Sequence, residues 1–570
     1  MPTDPLTILK KRGRSTDFVL IIHGYEGSPE TMQYVQGLVE AHLPDADIYT
    51  PELPHSHRFS SVRAIKIVQD LLDVIDLCYE EYAYERILII GSSIGGLLAR
   101  KIYIHACGEN EEAPFEPAVK TSAPKVWAPK VDRIILLAGM NRGWAITHHL
   151  SYKTAFLFTA GLCLGKLLEL IGIQPTMFEI RRGAPFITEL RVQWMYMRYK
   201  SKVKSVGNAT TIQLLGSIDD LVAPEDNIDL VSGADFIYLD VPHSNHTSVL
   251  LMDESEEGKA RAAVFEKALM ESPEILDTLQ EIPADASELI QPRPEVTDVV
   301  FVIHGIRDEG YWTHKIARRI VARARQKAPH RVIASETSSY GYFPIIDFLL
   351  LGQREKKVHW LMDQYVEALA MYPNAEFSYV GHSNGTYLLA KALKDYQCCR
   401  FKHVVFASSV VRTDYDWETP INTGKVKAVL SFAATNDFVV AWAPYFFETF
   451  DILDLGGAGH IGFRSKAIHQ IKYVEGGHSA AREEDNWNSI ADFIINGPPA
   501  IPTQEIIREK QPSGFKGLTL LGRFGCFIFL FAAFLSVLGY LLWMVVQGSF
   551  LPYFFIIFYG ILVLWFLKKF

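Results

Sequence analysis

Twice along this chain a short apolar run ends in glycine–x–serine–x–glycine and passes at once into a helix-forming stretch. The first run, Ile89-Ile90, leads into Gly91-Ser92-Ser93-Ile94-Gly95; the second, Tyr379-Val380, leads into Gly381-His382-Ser383-Asn384-Gly385. The bare pattern is common, because small residues match it often. A strand before it and a helix after it make it far more specific. The serine then sits on a tight backbone reversal with its hydroxyl exposed, and glycines are needed where strand, turn and helix crowd together. A turn of this kind belongs to strand–helix–strand architecture, in which helices pack on a largely parallel sheet.

The rest of the sequence agrees. Apolar runs at residues 18–22, 86–90, 131–137, 211–215 and 236–239 read as strands. Between them Val62, Ile65, Val68, Leu72 and Ile75 recur at helical spacing, and a helix is expected from Gly95 to His105. Runs at 299–303, 377–380, 403–406, 426–430 and 471–474 repeat the order. Continuous apolar strands, rather than alternating ones, indicate a parallel sheet covered on both faces. The repeat is too long for a solenoid and reads as a duplicated domain.

A chain of 570 residues exceeds what one core supports. The acidic, proline-bearing stretch 271–296 and the proline-rich stretch 497–517 read as linkers. They divide the chain into a first domain at 1–270, a second at 297–496 and a tail at 518–570. In the first domain the connection at about 141–205 is expected to be a cap insert. It holds the apolar stretch 155–173, interrupted by Lys166 and Glu169, which suits either a lid over Ser93 or an ordinary packed helix pair. The second domain has only a short connection there, 408–425, so a more open site is expected.

A serine at such a turn needs hydrogen-bond donors for an oxyanion and partners for its proton. The donors are expected after an earlier strand and just after the serine: Tyr25 and Ile94 in the first domain, Ile306 and Asn384 in the second. An acid should follow the next-to-last strand and a histidine the last. In the first domain these are Asp219, with Asp220 as runner-up, and His246 in preference to His243. In the second they are Asp437 and His478, with His460 a weaker choice because it precedes the last strand. The order serine, aspartate, histidine thus occurs twice, each member at its expected strand end.

These motifs resemble the α/β-hydrolase superfamily, over nearly all residues before the tail. The first domain is similar to lipase- and esterase-type members, including GPI inositol-deacylase-like proteins, through HGYEGSPETM, GSSIGG, RRGAPFITEL and GSIDDLVAPED; the second is similar to compact hydrolases through HGIRD, GHSNG and GGHS. The resemblance implies two tandem α/β-hydrolase domains. It implies a serine nucleophile, a histidine base and a carboxylate orienter at Ser93, His246 and Asp219, and neither a metal nor an organic cofactor. It departs at Ser92, where histidine is commoner, but that side chain is not chemically required. The expected activity is hydrolysis of acyl esters, of lipids above all, through an acyl-enzyme. Thioester or amide cleavage by the same triad is the near alternative. A membrane-bound scaffold with one or both folds inactive is the rival from another class.

Composition narrows the partners. With 65 acidic against 56 basic residues and a net charge of -9, there is no basic excess for nucleic acid. The six cysteines are sparse and irregular, without zinc spacing. His148-His149 and His55/His57 lack metal-ligand context, and the G-x-G-x-x-G at 457–462 has no helix-forming run behind it. The tail is uncharged from 525 to 546 and apolar again from 550 to 567. Arg508, Lys510, Lys516 and Arg523 precede these runs and Lys568 and Lys569 follow them. The expectation is an α-helical transmembrane hairpin at 518–570, a multi-pass protein with the catalytic domains facing the cytoplasm. Expected partners are therefore a lipid or acyl-ester substrate and the membrane, with no nucleic acid.

Overall fold

The computed structural model describes residues 15–57, 60–119, 122–145, 175–201, 206–217, 229, 236–280, 291–306, 310–337, 339–341, 352–449, 454–498, 535–540 and 543–544. They fall into two compact units. One comprises Met1–Pro292, His359–Met371 and Tyr396–Cys398; the other comprises Arg293–Val358, Tyr372–Asp395 and Cys399–Phe570.

The first unit is built on six strands: β1 (Asp17–Ile22), β2 (Asp47–Tyr49), β3 (Arg86–Ser92), β4 (Val131–Leu137), β5 (Thr210–Gly216) and β6 (Phe236–Val241). Their order is β2-β1-β3-β4-β5-β6, and every pair is parallel. The continuous apolar runs are explained by two cores. Phe18, Leu20, Ile22, Ile87, Ile89, Ile134 and Leu136 face one, with the helices Ala64–Tyr82, Ile94–Cys107 and Pro185–Ser201. Val19, Ile21, Leu88, Ile90, Ile135 and Leu137 face the other, with the helices Gln33–His42 and Glu256–Met270. Alternate residues of one strand thus point into different layers, so none can be polar without cost.

The second unit has β7 (Asp298–Ile303), β8 (Ile333–Glu336), β9 (Glu376–His382), β10 (Phe401–Ala407), β11 (Val426–Ala434) and β12 (His469–Val474), in the order β12-β11-β10-β9-β7-β8. All pairs are again parallel. Counted from each unit's own first strand, the two orders are the same. On one face Val300, Val302, Val405 and Leu430 pack against Ile316 and Ile320 of the helix Tyr311–Lys327 and Phe493 and Ile494 of Glu484–Asn496. Phe301, Phe377 and Phe401 form a ring cluster within the same sheet.

In both sheets the chain winds outward one way from the first strand and returns to wind the other way from the third. The winding therefore reverses between β1 and β3, and between β7 and β9. A crevice opens at the carboxyl ends of strands where the winding reverses. Each G-x-S-x-G segment lies at one side of such a crevice and each histidine–glycine pair at the other.

The transmembrane hairpin expected at 518–570 requires correction. Among the described residues no helix is long and apolar enough to cross a membrane. Most of the tail lies outside the described residues. Apolar composition prompted the expectation, and composition does not fix helix length. The multi-pass location, the cytoplasmic orientation and the membrane as a partner fall with it.

Candidate active site

Ser93 joins β3 to the helix Ile94–Cys107 with φ 53° and ψ −117°. Its N–H donates to Leu137 O at 2.9 Å, and its carbonyl accepts from Gly96 N–H at 3.0 Å. The turn stays tight because Gly95 lies against β1: a Cβ there would stand 2.4 Å from Ile22 O. Every residue of the following helix is buried, so the serine is carried on an immobile base.

His246 Nε2 stands 3.0 Å from Ser93 Oγ. The loop after β6 delivers it. Ser217 Oγ accepts from Ser244 N–H and donates to Ser244 O, both at 3.1 Å, and Asn245 Oδ1 accepts from Thr247 N–H and Ser248 N–H. His246 is buried, whereas His243 is exposed at φ 53°. Its carbonyl is held instead by the Arg261 guanidinium. Asp219 and its runner-up Asp220 lie outside the described residues.

The loop after β1 closes the other side. A Cβ at Gly24 would meet Ser93 Cβ at 3.3 Å, and Tyr25 lines the same cleft as Ser93. Two histidines brace this loop. His23 Nδ1–H donates to Gly24 O at 2.9 Å while its Nε2 accepts from Leu53 N–H at 3.2 Å. His55 Nε2–H donates to His23 O at 3.1 Å, and its own carbonyl accepts from Glu26 N–H at 3.0 Å. Burial lowers the pKa of His23 and brings that of His55 to about 4, so both work as neutral rings. The sequence placed His55 in a loop; its bracing partner lies 32 residues away and leaves no local signal.

A cleft of about 260 Å³ opens at Ser93 and His246, lined on its apolar side by Met140, Trp144, Met177 and Leu250. Trp144 and Met177 belong to the expected cap insert and are joined by Trp144 Nε1–H donating to Met177 O at 2.8 Å. Further on, the insert is packing: Phe186, Ile187, Leu190 and Trp194 of the helix Pro185–Ser201 are in the core. The apolar stretch 155–173 lies outside the described residues.

In the second unit Ser383 also has φ 53°. Its N–H donates to Ala407 O at 3.0 Å, and a Cβ at Gly385 would stand 2.5 Å from Ile303 O. After β11, the fully buried Asp437 accepts Val440 N–H at 3.0 Å. After β12, His478 Nδ1 lies 3.0 Å from both carboxylate oxygens of Asp437. Between Ser383 and His478 no hydrogen bond is recorded among the described residues. His460 stands on the short helix Ala458–Ile461, edge-on to Tyr445, and burial brings its pKa to about 4.

Beside Ser383, a Cβ at Gly305 would fall 2.7 Å from the serine's Cβ, so the loop bearing Ile306 presses against it. Asn384 is fully buried and donates through Nδ2 to Tyr340 Oη at 3.2 Å; Tyr340 donates to His304 O at 2.9 Å and stacks on its ring. Tyr340 was not singled out in the sequence, since no motif surrounds it. Among the described residues no group of three His, Cys, Asp or Glu side chains is placed to hold a metal ion.

The sequence model of an uncharacterised protein family, UPF0227, matches residues 18–152. A search of curated proteins returns no match. Solved structures similar to this chain include a lipase-esterase related protein from Clostridium acetobutylicum, at 13% identity and TM-score 0.28, covering 45% of this chain and 97% of that one. They also include a soluble variant of monoglyceride lipase from Saccharomyces cerevisiae in complex with a substrate analogue, at 13% identity and TM-score 0.30, covering 47% and 88%. A thioesterase domain from the curacin biosynthetic pathway matches at 14% identity and TM-score 0.27, covering 46% and 93%.

Proposed function

We propose that this chain is a serine hydrolase of carboxylic acyl esters, with one site in each of two domains, 1–270 and 297–496. The observation that carries the reading is the 3.0 Å approach of His246 Nε2 to Ser93 Oγ, on a serine held at positive φ between strand and helix. A histidine aimed at a strained, strand-end serine is what nucleophilic catalysis needs and what packing alone does not require. The apolar wall of Met140, Trp144, Met177 and Leu250 suits the acyl part of a lipid ester.

The steps follow from these positions. Ser93 Oγ attacks the ester carbonyl carbon as His246 Nε2 takes its proton. The carbonyl oxygen becomes an oxyanion facing the N–H groups of Tyr25 and Ile94, donors of a kind whose removal costs roughly 3–4 kcal/mol of transition-state stabilisation. The proton passes to the departing alkoxide, leaving an acyl-serine, and water activated by the same histidine releases the acid. Asp219, or Asp220 in its place, orients the imidazole. In the second site Ser383, His478 and Asp437 take these roles, with Ile306 and Asn384 as donors.

The test is labelling of the intact chain with a fluorophosphonate, read by peptide mass spectrometry. Wild type is expected to carry label at Ser93 and Ser383, Ser93→Ala to lose only the first and Ser383→Ala only the second. A folded wild type that takes no label at Ser93, and hydrolyses no short acyl ester, would overturn the reading.

A further inference from the structure

The two sites hold their histidines by different means, and in the second the means includes a residue of the serine turn itself. His478 O accepts two hydrogen bonds: one from Ser408 Oγ–H at 2.6 Å, the other from His382 Nε2 at 3.1 Å. A carbonyl oxygen only accepts, so His382 must carry its proton on Nε2. Its Nδ1 is then bare, and it is buried without a partner. Burial, together with the nearby His478, Arg482 and His304, pushes the pKa of His382 well below its ordinary value, in keeping with a neutral ring that donates from one side only. Trp312 closes on His382 edge-on, and the rings of His382 and His478 lie 4.9 Å apart.

Both donors come from strand ends. His382 is the last residue of β9, immediately before Ser383; Ser408 follows β10 directly and sits at φ 49°. The corresponding places in the first unit, at the end of β3 and directly after β4, hold Ser92 and Ala138. There the histidine loop is held by Ser217 on Ser244, at the far side of the loop. Backbone position and ring position thus have separate controls in the second site. Asp437 fixes the imidazole through Nδ1, while His382 and Ser408 fix the carbonyl of the same residue.

We propose that His382 and Ser408 are positioning residues for the second site, a paired clamp on the His478 backbone that sets the reach of its Nε2 toward Ser383. The inference rests on the reading of Ser383 and His478 as nucleophile and base. The clamp touches no substrate, so its loss should lower turnover without altering binding.

The test uses the full chain carrying Ser93→Ala, so that only the second site turns over a short acyl ester. His382→Ala and Ser408→Ala are each expected to lower kcat by about tenfold with KM unchanged, the effect of losing one such hydrogen bond. His382→Gln, which keeps a donor near the Nε2 position, should recover most of the loss. Ser408→Ala removes one atom and guards against a His382 variant that fails to fold. The same substitutions in an otherwise wild-type chain should leave the rate of fluorophosphonate labelling at Ser93 unchanged. Unchanged kcat in folded variants, or equal changes in kcat and KM without rescue by glutamine, overturns the clamp. A Ser93→Ala parent with no labelling at Ser383 overturns the hydrolase reading of the second site, and the clamp with it.

Discussion

His246 and His243 are separated by three positions and by almost all of their access to Ser93. Their surroundings differ: His243 is exposed at φ 53° with its carbonyl accepting from the Arg261 guanidinium, while His246 is buried with Nε2 at Ser93 Oγ. His246→Ala is expected to slow labelling of Ser93 by roughly 10²–10⁴-fold, the usual worth of a general base. His243→Ala, an exposed side chain, should change it by no more than about twofold. Reversed outcomes in a labelling time course would move the base to His243. In the second site Asp437 is the sensitive partner. Asp437→Asn keeps the shape but alters what faces His478 Nδ1, and turnover there should fall by up to about 10⁴-fold.

At the scale of elements, the turns matter more than the strands they join. Gly95 is held against β1 so closely that a methyl group would strike the Ile22 carbonyl, which is backbone and cannot move aside. Gly95→Ala is therefore expected to destabilise the first unit by about 1–3 kcal/mol or more and to remove labelling at Ser93. Thermal melting read together with labelling checks both parts; a variant with wild-type melting and labelling would mean the turn is looser than described. The same elements show what was legible. Strands such as Val131–Leu137 could be read from the chain because both faces are buried and the run ends in four consecutive apolar residues, Ile134 to Leu137. Asp47–Tyr49 and Ile333–Glu336 could not. The first has three residues, and the second is a half-buried edge without alternation; both are strands only because a neighbour pairs with them. The serine turns were legible as local motifs. His246 was preferred to His243 from the expected strand end alone, without sight of Ser217 and Arg261 holding the loop from afar; the bracing of the first loop by His23 and His55 was not legible.

At the scale of the whole molecule, buried imidazoles weaken the fold in acid, opposed in part by Glu189, whose carboxyl burial raises to about 7. Burial brings His55 and His460 to about 4 and lowers His23, His105, His382 and His403. A base whose folded pKa lies below its unfolded value is neutral in the fold and takes a proton on unfolding. The unfolded chain thus binds more protons between about pH 6.5 and 4, so stability is present above that window and is lost as pH falls through it. His55 alone contributes on the order of 3 kcal/mol across the window. The urea midpoint should therefore fall steeply from pH 7 to pH 5, and His55→Gln, which retains the donor to His23 O, should flatten that fall in the first unit. Equal pH dependence of the midpoint in wild type and His55→Gln would contradict the assignment of His55 as a neutral, buried ring.

The positive φ of Ser93 and Ser383 sets stability against reactivity at each turn. Glycine takes such a backbone freely, while a residue with a Cβ carries a strain on the order of 1–3 kcal/mol. Exchange of either serine for glycine should therefore relax its turn and raise the melting temperature of that unit, while removing the hydroxyl on which the proposed chemistry depends.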